Sequence, residues 1–400
     1  MSLKGCDFLE RVILHCDLNN FFASVTLLEN QTLKNMPVAI CGSKEERHGI
    51  VLAKNEVAKK FGVKTAEAIW EAQAKCPDLV LLPPNYKRYQ EFSRRARDIY
   101  RRYTDLIEPF GIDECWLDVT GSHLLFGDGE HIAQRIRKEI KEELGITVSV
   151  GVSFNKVFAK LGSDYKKPDA VTVISRDNFK ELVWKMPVGD LLFVGKHTVS
   201  RLNSCGIFTI GDLAACDDRA LERLLGKNGH ELKIYALGRD KSPVAPDNAV
   251  HTPKSVGRSV TTPEDITSPD TVWKILLELA EDISRQLRQH SLYANGITVH
   301  TRTVTLKVQE FSCSLDYPTA LSMTLAKKGM ELFEKSYNWQ LPLRSVGIRA
   351  IRLTDSGAGI QQDMFGTVEE SAKLEKIEDQ LFSIREKFGK DSIVRGRNLD

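Results

Sequence analysis

The stretch GIDECWLDVT, residues 111–120, reads as a β-strand that opens on two adjacent carboxylates, Asp113 and Glu114. Successive strand residues face opposite sides of a sheet. Asp113 therefore shares a face with Cys115, Leu117 and Val119, and Glu114 with Trp116. A carboxylate in line with an apolar face is costly unless a cation or several donors meet it. Adjacent carboxylates converge on one ion only where the alternation breaks, at a strand end, turn or bulge. The preceding EPFG, 108–111, supplies such a break. A second segment, RVILHCDLNNFFASV at 11–25, runs apolar as far as Asp17. A helix should follow, with Asn19 or Asn20 as its cap and Phe22, Ala23 and Val25 inside. Asp17 is thus expected at the carboxyl end of a strand, beside the exposed N–H groups of a helix start, which favour phosphate. Three carboxylates at strand ends are the inventory that two-metal phosphoryl transfer needs: hard oxygen ligands that leave positions for substrate phosphates. The plainer alternative is an Asp capping its own turn, with Glu114 in solvent. Spacing alone does not make the two strands neighbours.

Four hundred residues suffice for about two to four domains with real cores. No run of eighteen apolar residues occurs and the first ten lack a signal-peptide core, so no membrane association is expected. Eight cysteines without a C-x-x-C pair argue against zinc and a disulfide framework and point to a reducing cytoplasm. Cys16, Cys41 and Cys115 read as core residues. A net charge of +2 decides nothing, but its distribution is informative. Residues 85–103 interleave Lys87, Arg88, Arg94, Arg95, Arg97, Arg101 and Arg102 with five aromatic residues. That helix suits a phosphate backbone or nucleotide phosphates, or else is a solvated arginine face over an aromatic contact.

Further along, 49–77 reads as a strand and two helices, the first ended by Gly62. Residues 148–170 read as a buried strand, a turn at 153–155 and a basic helix on which Lys156 and Lys160 are surface charges. In 186–214 two short helices flank VGKHT, as in a helix-hairpin-helix. Its amides around Gly195 would hold a DNA phosphate without reading sequence, with Lys196 adding charge; an ordinary helical turn is the alternative. Thr209 and Asp212 suit a capping box, and GKNG at 226–229 suits a further hairpin. Residues 238–253, rich in Pro, Asp and Lys, read as a linker. Beyond it, three alternating strand segments carry Arg258, Arg302, Lys307 and Arg349, with helices near 270–290 and 318–336. The tail presents Gln361, Asp363, Met364 and Phe365. An amphipathic helix follows, whose stripe of Leu374, Ile377, Leu381, Ile384 and Phe388 should pack on this chain.

Five blocks, DLNNFFASV, NEVAKKFGVK, GIDECWLDVT, VSVGVSFNKVFAKLGSDYKKPD and KSVGRSVTTPEDI, come in the order and spacing of Y-family DNA polymerases. Over roughly residues 10–355 the chain resembles that family's DNA polymerase IV and UmuC-like lesion-bypass members. The resemblance implies a multidomain α/β and α+β right hand. Its palm is 1–19 and 85–174, fingers 20–84, helical thumb 175–241, linker 242–253, α+β little finger 254–355, and tail 356–400. It implies that Asp17, Asp113 and Glu114 are catalytic and, with the carbonyl of Leu18, hold two magnesium ions. It places Asn20, Phe21, Phe22, Lys59 and Lys167 at the incoming nucleotide, with Phe22 as the steric gate against ribose. Gly195, Lys196, Arg258 and Arg302 would meet DNA. Gln361, Met364 and Phe365 match a sliding-clamp peptide, Gln-x-x-Leu/Met-Phe.

This chain departs from the family pattern at the triphosphate. Glu56 and Lys59 stand where Tyr and Arg are usual, and Ala53 where Ser or Thr is usual. Lys59 offers a point charge rather than a bidentate fork. UmuC-like members from Gram-positive bacteria show a similar variant. The implied activity is template-directed, low-fidelity translesion synthesis by a cytoplasmic monomer acting on primer–template DNA and deoxynucleoside triphosphates. The alternatives are a UmuC-like subunit that needs an accessory protein, a palm-type nucleotidyl cyclase, and a non-catalytic DNA-binding scaffold. A cyclase would not need thumb hairpins or a little finger, and a scaffold would have lost its carboxylates.

Overall fold

The computed structural model describes residues 10–43, 49–249, 252–355, 367–389 and 392–393. Gln361, Met364 and Phe365 of the clamp-like peptide lie outside the described residues, as do residues 1–9 of the expected palm. The chain divides into two compact units, one ending at Ala249 and one beginning at Val250.

The first unit holds β1 (Ile13–Leu18), β2 (Val38–Cys41), β3 (Val51–Lys54), β4 (Val80–Leu82), β5 (Ile107–Pro109), β6 (Glu114–Asp118), β7 (Val148–Ser153) and β8 (Val171–Ile174). Five of them form a sheet in the order β5-β6-β1-β7-β8. β1 is buried along its whole length and lies antiparallel to both β6 and β7, which explains why it is mostly apolar apart from His15 and Asp17. One face of the sheet packs on Tyr89, Phe92 and Tyr100 of the helix Tyr86–Tyr100 and on Ile132 and Ile136 of the helix Gly129–Glu139. The helix Lys156–Tyr165 covers the other, and Gly151 of β7 permits its close approach: a Cβ there would lie 1.9 Å from the Ala159 carbonyl oxygen.

The arginines of Tyr86–Tyr100 and its C-terminal turn answer the open question about that basic helix. Arg88 pairs with Glu29 and Glu91, Arg101 with Asp98 and Asp247, and Arg102 with Glu139 and Glu143. Arg88 and Arg95 also lie over the Phe92 ring. Arg88, Arg101 and Arg102 are thus neutralised over an aromatic core, while Lys87, Arg94, Arg95 and Arg97 form no ion pair with another described residue, so the stretch is part ion-paired surface and part uncompensated charge.

A smaller sheet, β3-β2-β4, carries the helices Glu56–Lys60 and Ile69–Lys75. Asn55 caps the first by accepting from Ala58 N, and Gly62, at φ 81°, turns the chain after it. Beyond β8 the helices Lys196–Asn203, Ile210–Ala215, Asp218–Leu225 and Lys227–Ala236 enclose Leu202, Ile210, Leu213, Leu221 and Leu232. The Thr209–Asp212 capping box forms, and Gly226 at φ 63° joins the last two helices. The first half of the hairpin at 186–214 is only the 3₁₀ turn Val188–Asp190.

The expected linker is no free tether over 242–249. Val244 is buried with Ile13 and Trp116, Ala245 N donates to Glu108 Oε2 (2.9 Å), and Arg101 grips Asp247. One apolar residue in a polar stretch is enough to strap it onto the sheet.

The second unit is an antiparallel sheet of β9 (Ser255–Ile266), β10 (Leu292–Thr303), β11 (Val308–Thr319) and β12 (Leu343–Asp355), ordered β11-β10-β12-β9. The helices Pro269–Gln289 and Ser322–Ser336 bury one face against Leu276, Ile297, Val299 and Ile348. The segment 294–315, read as alternating strand, folds into the β10–β11 hairpin. The helix Thr367–Phe388 differs from its expected docking. Leu374, Ile377, Ile384 and Phe388 are substantially exposed, and the helix is held by its acidic edge instead. Buried Arg288 meets Glu375 (2.7 Å), Glu378 (3.3 Å) and Asp379. The start of Ser322–Ser336 lacks a side-chain cap of its own, and Glu378 supplies one, accepting from Ser322 N (3.1 Å) and Oγ (2.7 Å). Charge-assisted bonds to a buried cation and an open helix end thus decide which side faces inward. Among the described residues no helix is long and apolar enough to cross a membrane.

Candidate active site

β1 delivers Asp17 at its carboxyl end, directly across from Glu114 on β6. Asp113 sits in the turn before β6, and its carbonyl accepts from Leu18 N (3.1 Å), which pins that turn to the end of β1. The strands are neighbours, and the break in alternation falls where the two carboxylates need it.

Glu114 Oε2 meets Lys160 Nζ at 2.7 Å and His15 Nε2 at 3.4 Å. His15 is fully buried on β1, with Nδ1 2.7 Å from Ser163 Oγ, and that hydroxyl donates to the Lys160 carbonyl. Lys160, expected as a surface charge, is only 18 % exposed. Lys156 is likewise drawn in, 2.6 Å from Glu108 and over the Trp116 ring. Lys156, Lys160 and Asp164 repeat every four residues, so the sequence does carry the signal that they share one helix face. Lys167, just past that helix, donates to Asp17 Oδ2 (2.6 Å) and to Asp164 Oδ1 (2.8 Å).

Burial dominates the electrostatics. It pushes the Asp17 carboxyl, 8 % exposed, up to about 7, more than Lys167 can offset. It also raises Asp113, helped by the charge on Glu114. Burial acts on Glu114 in the same sense, but the nearby His15 ring and the bond from Lys160 outweigh it and hold that carboxyl at about 2. Burial lowers His15 and so favours its neutral imidazole. Among the described residues no three acidic or metal-ligating side chains close around a single point, and the two lysines lie on Asp17 and Glu114 instead. The donors are nonetheless hard oxygens, two of them raised by crowding and burial, which is the chemistry that suits a hard divalent cation.

The helix Phe21–Glu29 starts at Asn20, which adopts the left-handed conformation (φ 48°) and makes no side-chain cap bond; its Nδ2 donates to Glu56 Oε1 (2.9 Å). Lys59 Nζ lies 3.5 Å from the same oxygen, so the substituted pair at 56 and 59 forms a small network with Asn20. Phe21 is a core residue, which leaves its backbone as the part open to a nucleotide. Phe22 is partly buried and stacks on Tyr89, ring centroids 4.2 Å apart at 8°. The Tyr89 hydroxyl is fixed 2.8 Å from Thr26 Oγ1, giving the Phe22 ring a rigid backing that the sequence reading missed.

Gly195 caps the helix Lys196–Asn203 with nothing within 4 Å of where a Cβ would stand, and Lys196 is exposed beside it. In the second unit, Arg302 lies on the helix-free face of the sheet together with His300, Gly347, Arg349 and Ser259. Arg258 pairs with core residue Ile348 on edge strand β9, where it stays exposed and lines one cavity with His300, Gly347 and Arg349.

The impB/mucB/samB family profile matches residues 16–164, and the profile of that family's C-terminal domain matches 253–364. A DNA polymerase IV from Acetivibrio thermocellus is 49 % identical over 388 residues, 97 % of each chain. The chain belongs to this family, the Y-family DNA polymerases. The protein named DNA polymerase IV 1 of Bacillus subtilis is 35 % identical over 390 residues, covering 97 % of this polymerase and 93 % of its relative. A solved Y-family DNA polymerase chimera superposes with a TM-score of 0.77 at 24 % identity, over 86 % of this chain and 99 % of its own. The likeness shows the multidomain right-hand fold, and a divalent metal is expected of the family.

Proposed function

We propose that Asp17, Asp113, Glu114 and the Leu18 carbonyl hold two magnesium ions in a polymerase that extends a primer on damaged templates. Family and relatives make the chain a DNA-directed DNA polymerase of the translesion type. The observation that carries the site assignment is the β1–β6 register, which brings Asp17 across from Glu114 with Asp113 pinned next to them by Leu18 N. When bound, the metals would activate the primer 3′-hydroxyl and neutralise the triphosphate.

The chain's own residues do the rest. Lys160 holds Glu114 by Oε2, with the His15 ring packed beside it, and leaves Oε1 to a ligand. Lys167, on a flexible stem beside Asp17, turns to the triphosphate, and the amides that open the helix Phe21–Glu29 cradle its oxygens. Phe22, backed by Tyr89, meets the 2′ carbon of the sugar, so a ribose hydroxyl would lose water and gain no bond. The open backbone at Gly195, Lys196 and the Arg302–Arg349 face take duplex phosphates. The segment 20–84 is read as fingers, 175–241 as thumb and 254–355 as little finger. Gln361, Met364 and Phe365 are read as a sliding-clamp peptide, and the polymerase as a cytoplasmic monomer.

The test is primer extension by the purified chain alone on a defined template. Asp113→Ala with Glu114→Ala should abolish nucleotide addition and leave salt-sensitive duplex binding largely intact. Metal-dependent extension at near the parent rate would sink the assignment, and extension only with an added protein would favour the UmuC-like alternative.

A further inference from the structure

Asn19 directly follows β1, and its side chain has a use that capping does not explain. It is 5 % exposed and bonded at both ends of its amide. Oδ1 accepts from Asp169 N (2.9 Å) and from Thr147 Oγ1 (3.0 Å), and Nδ2 donates to Ser149 Oγ (2.8 Å). Because a backbone N–H only donates, the Asp169 bond fixes which end of the amide is oxygen. The Asn19 backbone N also donates to the Thr147 carbonyl (2.9 Å). Asp169 holds a left-handed conformation (φ 53°), and Arg137 donates to its carbonyl (2.6 Å) while Lys141 meets its carboxylate (3.1 Å). The segment 166–169 joins the helix Lys156–Tyr165 to β8 and carries Lys167.

From this geometry we infer that Asn19 is a positioning residue for Lys167: it ties the backbone two residues beyond that lysine to the strand that carries Asp17. Lys167 then reaches Asp17 and the nucleotide site from one place, because the strand and the segment share a hub of side-chain bonds. Replacing the hub would let the segment move relative to β1 without removing the charge. The inference rests on the reading of Lys167 as a triphosphate ligand, and its test separates the two.

Single-nucleotide incorporation is measured for Asn19→Ala, Asn19→Asp, Lys167→Met and the Asn19→Ala/Lys167→Met double variant, with thermal unfolding as the check on folding. Asn19→Ala should raise the nucleotide KM about tenfold, the effect of losing a buried hydrogen bond, with a smaller change in kcat. Asn19→Asp keeps the acceptor for Asp169 N and Thr147 Oγ1, and Ser149 can reverse its hydroxyl, so its KM should stay near the parent value. The double variant should have the KM of Lys167→Met within about twofold, since a residue acting through Lys167 has nothing left to position. Multiplicative losses in the double variant, or Asn19→Asp as impaired as Asn19→Ala, would reduce Asn19 to general packing and overturn the inference. A raised KM in Lys167→Met with none in Asn19→Ala overturns it too and leaves the lysine reading standing. A parent-like KM in Lys167→Met removes that reading and the inference together.

Discussion

Asp17→Asn should make the metal-free protein more stable while destroying its activity, and the gain should depend on pH in a defined way. The Asp17 carboxyl is raised to about 7 by burial, whereas in the unfolded chain it titrates near 4. Between those values the folded state keeps a proton that the unfolded state has released, so stability falls as pH rises. Three pH units at 1.36 kcal/mol each give a cost of about 4 kcal/mol, fully developed above pH 7. Asparagine carries no charge and avoids that cost, and Lys167 keeps Asp164 as its partner. Glu114 does not confuse the measurement. Its carboxyl is held at about 2, so the stability it contributes is present above the unfolded value and is lost only as pH falls below about 4. Asp113 is raised in both proteins, and its effect largely cancels in the comparison. Urea unfolding in EDTA, read on the transition of the first unit, should give the Asp17→Asn variant an advantage of about 1–2 kcal/mol at pH 5, growing toward 4 kcal/mol at pH 8. Added magnesium should narrow the gap by stabilising the parent. A difference independent of pH, or a variant less stable than the parent at pH 8, would refute the argument.

Phe22→Ala should admit ribonucleotides with a gain of roughly 2–4 kcal/mol in sugar tolerance, on the order of 30- to 1000-fold in relative incorporation. Tyr89→Ala, which removes the stacked backing together with buried core packing and the Thr26 bond, should move selectivity the same way by less at some cost in stability; unchanged selectivity in both would make Phe22 plain core. Lys160→Met keeps the stem but frees Glu114 Oε2, and should lower kcat tenfold or more with little effect on nucleotide KM, the expected cost of about 1.4 kcal/mol or more in lost positioning. A parent-like kcat would return Lys160 to surface status. Ala at both Met364 and Phe365 should remove sliding-clamp stimulation without changing basal extension, which titration of a clamp into a primer-extension assay would show.

The carboxylate corner was legible because an apolar run that stops at an acid is a strong strand-end signal, and EPFG announces the break before Asp113. What holds those carboxylates was not. His15 lies inside an apolar run and reads as one more core position, and its link to Glu114 depends on β1–β6 register. Asn19 looks like a helix cap, a local role that needs no partner 150 residues away. Lys156 and Lys160 look solvated because lysines on helices usually are, and the facing Gly151 and Gly162, by admitting the helix so close to the sheet, help turn them inward. The tail helix misled for a related reason: its apolar stripe is local, whereas Arg288 and the open end at Ser322 lie in other parts of the chain.

The Glu378 cap has a consequence for how the second unit comes apart. The helix Thr367–Phe388 is held by Arg288 of one helix and by Ser322 at the start of another, so it staples two neighbours together through charge-assisted bonds. Its apolar stripe is already largely exposed, so releasing it uncovers little further apolar surface. That release should add little to the heat capacity or the urea dependence of unfolding, which scale with the surface uncovered. The core of Leu276, Ile297, Val299 and Ile348 lies elsewhere in the unit and keeps its own, larger, thermal signature.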